Sequence, residues 1–286
     1  MSEPCPTCKS TNVGIRYQLS DYRIARCKAC QLEYHDGFGG GGEDEGMFSE
    51  AYYRVRHREA FEAQFDNYAN DPSAAVFSQW MERLERLNPP GRILDVGCAL
   101  GTFLKIAESR GWQPHGVEIS HFAAEFAAQK RGLQVFNGDL DAFPGEDGSF
   151  DVVTFWDSIE HVTHPLENLR TAARLLRTGG HVLLTTDNFD CLVADAARLT
   201  YRATLGRSTY AMERVFIAPN RTFFSEETLR ATIAAAGLHV AILEKMEYPL
   251  DKIRTNWAER LILKSFYGLG ALVHRQAQVT VVARKP

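Results

Sequence analysis

Apolar residues change their spacing along the chain, and the change predicts two kinds of structure. From residue 92 onward, short apolar runs alternate with stretches of helical periodicity. The runs predict strands at residues 92–96, 113–118, 133–137, 150–156 and 180–186, with two more near the C-terminus. The stretches between them predict helices at 101–110, 120–131, 165–177 and 225–236. Runs such as DVVTFW and HVLLTT lack polar alternation, which is typical of parallel strands covered on both faces.

This alternation of strands and helices predicts an α/β fold with a doubly wound, mostly parallel sheet of seven strands. The predicted domain spans residues 91–286. Two segments do not fit the alternation and are predicted to be insertions, at about 189–221 and 247–276. The first is rich in Tyr and Arg, and we expect it to form part of a lid beside the functional edge of the sheet. The candidate contacts with an acceptor are Tyr52, Tyr53, Tyr201, Tyr210 and Arg214, and the alternative for each is a structural role.

The first 90 residues follow a different pattern. Apolar side chains at helical intervals in residues 47–90 predict a helical cap that ends at Pro-Pro-Gly. Residues 37–46, GFGGGGEDEG, have the composition of a flexible linker. In residues 1–36, every second residue from Val13 to Leu19 is apolar, which predicts a small β-ribbon.

Four of the six cysteines lie within this ribbon, in two CxxC pairs separated by eighteen residues. They are Cys5, Cys8, Cys27 and Cys30. The spacing is typical of a four-cysteine zinc site, because each CxxC turn offers two thiolates and two turns complete a tetrahedron around Zn²⁺. One alternative is disulfides, which a reducing cytosol disfavours. The other is a cysteine knuckle that has lost its metal. We predict a structural zinc ion, since four thiolates leave no coordination position open for catalysis.

Composition and charge narrow the class of protein. The net charge of −4 gives no cationic field for nucleic acid or acidic membranes. The N-terminus, MSEPCPTCKS, lacks the apolar core of a signal peptide. The most apolar late run, LILKSFYGLGALV, is too short to span a bilayer and contains Lys264. We therefore expect a cytoplasmic protein without a membrane span.

The segment RILDVGCALGTFL combines a strand, a glycine-punctuated turn and a helix start, which is the layout of a nucleotide-binding crevice. Glu118 ends the next strand, where a carboxylate can accept hydrogen bonds from both hydroxyls of a ribose. Asp139 ends the third strand and could accept a hydrogen bond from the exocyclic amine of adenine. The alternative is that both acids are loop residues facing water, which their positions at successive strand ends disfavour.

Six segments in order resemble the successive motifs of class I S-adenosylmethionine-dependent methyltransferases. They are ILDVGCALGTFL, GVEIS, GDL, FDVVTFWDSIEHVTHP, LLRTGGHVLLTT and RTFFSEETLRATIAAAGL. The resemblance implies a Rossmann-like enzyme with S-adenosylmethionine as cofactor. The chain departs from the family at Ala99, where glycine is common, and at Thr178, where proline is common. A NAD-dependent dehydrogenase is the competing interpretation, but the turn GCALG lacks the spacing G-x-G-x-x-G.

The resemblance also implies which residues contact the cofactor. Asp95, Gly97 and Gly101 would shape the pocket for its methionine end. Glu118 would bind the ribose, and Ile119 would lie against the adenine face. The full set of expected contacts is Asp95, Gly97, Cys98, Gly101, Glu118, Ile119, Asp139, Leu140 and Trp156.

The loop after the fourth strand of the domain, WDSIEHVTHP, is the candidate catalytic segment. A general base is needed only if the acceptor must lose a proton, and His161 is the candidate because imidazole titrates near neutral pH. The alternative is that His161 packs beside the cofactor without transferring a proton. Asp157, Glu160 and His161 also resemble the acid-x-x-Glu-His stretch of ubiquinone-biosynthesis and small-RNA 2′-O-methyltransferases. That resemblance implies a divalent metal that lowers the pKa of an acceptor hydroxyl. After the fifth strand of the domain, Asn188 and Asp190 are the residues considered as further ligands, and neither is a clear one.

These observations predict a methyltransferase for a small-molecule acceptor, with a hydroxyl of a sugar, lipid, quinone or secondary-metabolite intermediate as the expected target. An RNA or protein methyltransferase that uses the ribbon to bind its macromolecule is the first alternative. Residues 1–36 carry five basic and four acidic side chains, which is a poor footprint for phosphates. A cofactor-binding scaffold without activity is the second alternative, which the intact cofactor motifs disfavour.

Overall fold

The computed structural model describes residues 2–37, 49, 51, 67–217, 219–248, 250 and 256–286. The predicted linker beyond residue 37 and the first part of the predicted helical cap, up to residue 66 except residues 49 and 51, lie outside the described residues. Tyr52 and Tyr53, which we considered as acceptor contacts in the cap, lie outside them too. Within the described residues, the strands form two sheets, one of seven strands and one of four.

The seven-stranded sheet contains the strands predicted from residue 92 onward. They are β4 (Arg92–Val96), β5 (Gln113–Glu118), β6 (Gln134–Asn137), β7 (Phe150–Trp156), β8 (Leu176–Asp187), β10 (His239–Met246) and β11 (Gln278–Arg284). Their order in the sheet is β10-β11-β8-β7-β4-β5-β6. The five strands from β8 to β6 are parallel, and β11 pairs antiparallel with both of its neighbours, β8 and β10. The predicted fold class is therefore confirmed.

Five helices belong to the alternating α/β pattern. They are α1 (Ala74–Leu87), α2 (Thr102–Ser109), α3 (His121–Arg131), α4 (Pro165–Leu175) and α7 (Glu226–Ala235). Their ends follow local chemistry: the Ser120 side chain accepts from Ala123 N at the start of α3, and Gly132 ends it with φ +67°. The inserted segments form further helices, α5 (Leu192–Ala203), α6 (Tyr210–Val215) and α8 (Trp257–Leu272). None of the helices within the described ranges is long and apolar enough to cross a membrane.

Both faces of the large sheet are covered. Successive residues of a strand belong to different buried clusters: Leu94 of β4 and Val153 of β7 lie in the first, and their neighbours Ile93 and Val152 lie in the second. The second cluster also contains Trp80 and other apolar residues of α1, so this helix is part of the core. This arrangement explains the apolar runs without polar alternation.

The four-stranded sheet joins the cysteine ribbon to the α/β domain. Its strands are β1 (Val13–Gln18), β2 (Arg23–Cys27), β3 (Glu33–Asp36) and β9 (Thr222–Phe223), in that order and all antiparallel. The first three are the predicted ribbon. The fourth comes from the α/β domain, directly after the first inserted segment, and was not predicted from the sequence.

The ribbon also packs against the first inserted segment. Tyr17 and Ile24 of the ribbon share a buried cluster with Phe189, Phe216 and other apolar residues. The Tyr201 hydroxyl of α5 donates to Gln18 O (3.1 Å). The inserted segment therefore provides the docking surface for the ribbon, and Tyr201, which we considered as an acceptor contact, serves that docking.

Helix α6 contacts the second inserted segment through two side chains. The Tyr210 hydroxyl donates to Glu259 Oε1 of α8 (2.6 Å), and Arg214 forms an ion pair with the same carboxylate at 3.6 Å. These two side chains, also considered as acceptor contacts, thus connect α6 to α8.

Candidate active site

The predicted site residues lie at one edge of the large sheet. From β4 the chain adds β5 and β6 on one side, whereas β7 and β8 pair on the other. Such a switch in direction opens a crevice at the carboxyl ends of parallel strands. The glycine turn follows β4, Glu118 ends β5, Asp139 follows β6, and the loop 157–164 follows β7. We call residues 157–164 the catalytic loop, after the role that the sequence predicts for them.

The turn after β4 needs its glycines for conformation and for space. Gly97 and Gly101 have φ of +76° and +81°. A Cβ at Gly97 would lie 2.8 Å from Ser158 Cβ, and one at Gly101 would lie 2.4 Å from Leu133 Cδ1. Ala99, between them, also has a positive φ of +47°. An L-residue there costs roughly 1–2 kcal/mol relative to glycine, which explains why glycine suits this position.

Glu118 is held in one orientation at the end of β5. Its side chain is only 5% exposed. Oε2 accepts the backbone N–H of Ala99 and Oε1 accepts that of Ser120, both at 2.8 Å. Burial raises the pKa of the Glu118 carboxyl, and these two hydrogen bonds oppose the rise. Because a carboxylate has about four lone-pair positions, Glu118 can still accept hydrogen bonds from ribose hydroxyls.

Asp95 provides a second buried acid beside the glycine turn. It is 2% exposed and accepts the Thr154 hydroxyl at 2.7 Å. Burial raises the pKa of Asp95 to about 7, with a smaller contribution in the same direction from the charge of Glu118. Two buried acids in one crevice favour a ligand that brings positive charge and hydroxyl donors. S-adenosylmethionine, with its sulfonium, ammonium and ribose groups, fits this set of acceptors.

Other predicted cofactor residues line the same edge with different exposure. Ile119 is 40% exposed at the crevice, and Leu140 is 1% exposed. Asp139 is exposed and accepts Asp141 N at 3.4 Å as the cap of a short 3₁₀ turn. Cys98 is buried, and its Sγ lies 2.6 Å from where a Cβ on the central strand residue Gly116 would stand. Beside Cys98 there is therefore no room for a side chain at residue 116.

Trp156, the last residue of β7, faces the core on the α1 side. Its ring lies 4.8 Å from that of Phe77 and 5.3 Å from that of Phe103, measured between centroids. The indole Nε1 is buried and has no hydrogen-bond partner among the described residues. The contact of Trp156 with the cofactor stays a prediction.

The acids of the catalytic loop differ in environment. Asp157 is exposed, has φ +47°, and accepts Gln278 Nε2 at 3.0 Å. Glu160 is 3% exposed and accepts the Thr186 hydroxyl at 2.9 Å. Burial raises the pKa of Glu160 well above its ordinary value, and the charge of Asp157 adds to the effect.

His161 is half-buried in the same loop. Its Nδ1 lies 2.9 Å from the carbonyl oxygen of Pro219. A carbonyl oxygen only accepts, so Nδ1 carries the proton and the lone pair of the neutral ring lies on Nε2. Burial lowers the pKa of His161, and the charge of Arg221 lowers it further. The imidazole is therefore neutral at pH 7.

Asp187, at the end of β8, was missed in the sequence. It accepts Asn220 Nδ2 at 3.2 Å, and burial raises its pKa to about 6. Its charge raises the pKa of Glu160 as well. Asp187 obeys the same rule that singled out Glu118, since it is an acid at the carboxyl end of a parallel strand. We considered instead Asn188 and Asp190, which bond to each other through Asp190 N and Asn188 Oδ1 (3.2 Å).

The structure does not gather the acids and the histidine of the catalytic loop into a metal centre. In the described part of the chain, just one group of three or more Cys, His, Asp or Glu side chains has all its ligand atoms within 4.8 Å of one another, and it is the cysteine group. Asp157, Glu160 and His161 do not meet this distance. The divalent metal at this loop stays a prediction.

The four ribbon cysteines do come together. Cys5 Sγ lies 3.5 Å from Cys30 Sγ, and Cys8 Sγ lies 3.5 Å from Cys27 Sγ. All four are free thiols, and all four sulfur atoms lie within 4.8 Å of one another. Thiolates about 2.3 Å from one Zn²⁺ would stand about 3.8 Å apart in a tetrahedron. The donor set and its spacing therefore fit a zinc ion.

The comparisons with known proteins agree with this fold. A family model described as a methyltransferase domain matches residues 65–242, more than half of the chain. The chain therefore belongs to the methyltransferase domain family, and its class is that of the S-adenosylmethionine-dependent methyltransferases with a Rossmann-like fold.

Two relatives and one solved structure illustrate the relationship. The ubiquinone biosynthesis O-methyltransferase of Ralstonia nicotianae is 30% identical over 166 residues, which cover 55% of this chain and 66% of that protein. The protein of the same name from Bordetella avium is 28% identical over 188 residues, covering 61% and 73%. An S-adenosylmethionine-dependent methyltransferase of Thermotoga maritima superposes with a TM-score of 0.53 at 20% identity, covering 82% of this chain and 97% of that one. That likeness shows a shared fold.

Proposed function

We propose that this methyltransferase acts on a hydroxyl group of a small-molecule acceptor, in the class of sugars, lipids, quinone precursors or secondary-metabolite intermediates. The observation that carries the proposal is the state of His161: a neutral imidazole whose Nδ1–H is engaged by Pro219 O has its basic lone pair on Nε2. A hydroxyl must lose its proton when it is methylated, and such a base can accept it. The relatives named above, called O-methyltransferases, support the same chemistry.

The residues of the crevice would have separate roles. Bound S-adenosylmethionine supplies a methyl group already activated by its sulfonium. Glu118 would accept hydrogen bonds from the ribose, and Asp95 would contribute negative charge beside the methionine end. With the cofactor held, the remaining tasks are to align the acceptor and to take its proton, the second of which falls to His161 Nε2.

The ribbon cysteines would hold one structural zinc ion. Cys5, Cys8, Cys27 and Cys30 occupy all four positions of a tetrahedral site, so this metal would have no role in the chemistry. Its contribution would be to the folding of a small ribbon whose strands are only four to six residues long.

The acceptor is identified first, with labelled S-adenosylmethionine and a panel of phenols, catechols, sugars and hydroxylated lipids. Mass spectrometry of the product then shows which atom gained the methyl group. Methylation of a nitrogen or carbon atom, or of RNA or protein in preference to every small molecule, would overturn the proposal. RNA as the true acceptor would also show binding that weakens steeply with salt.

His161→Ala then tests the base. Turnover should fall by roughly 10²–10⁴-fold while S-adenosylmethionine affinity is retained. In the wild type the rate should rise with pH through one ionisation below the ordinary imidazole value of 6.5, because the pKa of His161 is lowered. His239→Ala, which removes an exposed histidine of β10, is the matched control. A His161→Ala enzyme near full activity would leave alignment as the whole mechanism, and inhibition by a chelator that added metal reverses would favour a metal role for this loop.

A further inference from the structure

Residues 219–222, which lead into β9, contact the catalytic site on one side, and we call them the bridge segment. The carbonyl oxygen of Pro219 accepts the hydrogen bond from His161 Nδ1. The next residue, Asn220, donates from Nδ2 to Asp187 Oδ2. The bridge segment therefore fixes both the ring orientation of His161 and the neighbouring acid at the end of β8.

The other edge of the bridge segment belongs to the ribbon sheet. His35 N donates to Arg221 O (2.9 Å), and Tyr34 pairs with Thr222 in the β3–β9 ladder. The same two bridge residues donate their N–H groups to Glu160 O, Arg221 at 2.8 Å and Thr222 at 3.1 Å. One extended segment is thus hydrogen-bonded to the ribbon on one side and to the catalytic loop on the other.

A second contact joins the ribbon to the far end of the catalytic loop. Lys9 Nζ lies 2.9 Å from His164 Nδ1. Lys9 directly follows Cys8, and its own N–H donates to Cys5 O (2.9 Å) within the first CxxC turn. This turn also packs into the main core, since Cys5 shares a buried cluster with Ile159 of the loop. The position of the loop therefore depends on the order of the first CxxC turn as well as on β3.

The order of both contact points depends on the cysteines. Lys9 lies next to one cysteine ligand, and β3 begins three residues after Cys30. The strands of the ribbon are only four to six residues long, and small modules of this kind gain much of their folding free energy from a bound metal. The cofactor side of the crevice is held differently, through the bonds of Glu118 to Ala99 and Ser120.

We propose that the four-cysteine ribbon is a positioning element of the active site. When loaded with metal, it holds the bridge segment and His164, and through them the catalytic loop, while the cofactor half of the crevice keeps its shape without it. The inference rests on the proposed zinc site and on the proposed role of the catalytic loop. Arg221, Thr222 and Lys9 act as positioning residues, because they hold the loop and take no part in methyl transfer.

The test compares the full chain with and without zinc, under reducing conditions. Hydrogen–deuterium exchange is measured on peptides covering 157–164 and 219–224, and on peptides covering 95–101 and 118–120. Zinc removal should speed exchange in the first pair by about tenfold or more and leave the second pair nearly unchanged. S-adenosylmethionine affinity, measured by titration calorimetry, should stay within about twofold, while turnover falls by about tenfold or more. The exchange and affinity measurements need no acceptor.

Two matched lysine variants test the same connection in the zinc-loaded protein. Lys9→Met removes the contact with His164, and Lys28→Met changes the exposed lysine that follows Cys27 in the second CxxC turn. Only Lys9→Met should speed exchange in residues 161–165, by about threefold or more. Both should retain zinc.

The outcomes separate this inference from the proposed function. If zinc binds and its removal leaves exchange in 157–164 unchanged, the positioning role is wrong and the zinc site stands. If removal speeds exchange equally in both pairs of peptides, the ribbon serves general stability and the inference is wrong. If no zinc binds, the proposed metal site is wrong. Independently of zinc, the positioning role is wrong if Lys9→Met and Lys28→Met change the exchange of residues 161–165 equally.

Discussion

Replacing Glu118 with alanine is the sharpest test of the cofactor site. In the wild type the carboxylate is buried, fixed by two backbone N–H groups, and still able to accept from the ribose hydroxyls. Glu118→Ala removes a charge-assisted hydrogen-bond acceptor, which should weaken S-adenosylmethionine binding by about 1.5–3 kcal/mol. The dissociation constant should therefore rise roughly 10- to 150-fold.

The same substitution affects stability, and the two effects must be separated. The N–H groups of Ala99 and Ser120 lose their acceptor, at about 1–3 kcal/mol for each buried donor left unsatisfied. Part of this loss is offset, because burial of the carboxylate is itself unfavourable, as the raised pKa of Glu118 indicates. A net loss of about 2 kcal/mol in the free energy of unfolding is expected from the opposed effects.

Calorimetric titration with S-adenosylmethionine gives the affinity directly, on protein shown by circular dichroism to be folded. Glu125→Ala removes the same charge from an exposed position of α3 and is the matched control. Its affinity should equal that of the wild type. A folded Glu118→Ala protein that binds within about twofold of the wild type would refute the assignment of Glu118 to the ribose.

Two further predictions concern Asp95 and the cysteines. The pKa of Asp95 is about 7 in the folded protein against 3.8 for an unperturbed aspartate. The folded state therefore binds more protons, and stability without cofactor should fall as pH rises from about 4 to about 7. In urea unfolding, Asp95→Asn should reduce the dependence of the free energy of unfolding on pH between about 4 and 7. An equal fall of this free energy in the variant and the wild type would contradict the buried-acid explanation. Metal analysis of protein purified without added zinc should find about one equivalent per chain, lost in Cys8→Ser and kept in Cys191→Ser. Metal-free wild type with four titratable ribbon thiols would contradict the zinc site.

The alternating strands and helices can be predicted from the sequence, because their signals are local. Buried parallel strands read as apolar runs, and the turn after β4 requires glycine at Gly97 and Gly101 for conformation and space. The same holds for the cysteine group, because two CxxC turns bring their own ligands. In each case the signal lies in short stretches of sequence: a strand, a turn, or a CxxC pair.

The contact between the ribbon and the catalytic loop could not be predicted from the sequence, because it arises from tertiary pairing. A strand of two residues such as β9 (Thr222–Phe223) has no periodicity to detect, and its partner Tyr34 lies far away in the sequence. The position of the proton on the His161 ring likewise depends on the carbonyl oxygen of Pro219. Pro219 lies 58 residues away in the sequence, and folding brings it to His161. Asp187 carried a local signal, the end of a strand, but its raised pKa comes from burial that only folding creates. Pairing, burial and hydrogen-bond partners of this kind depend on contacts between distant segments, and no local pattern of residues encodes them.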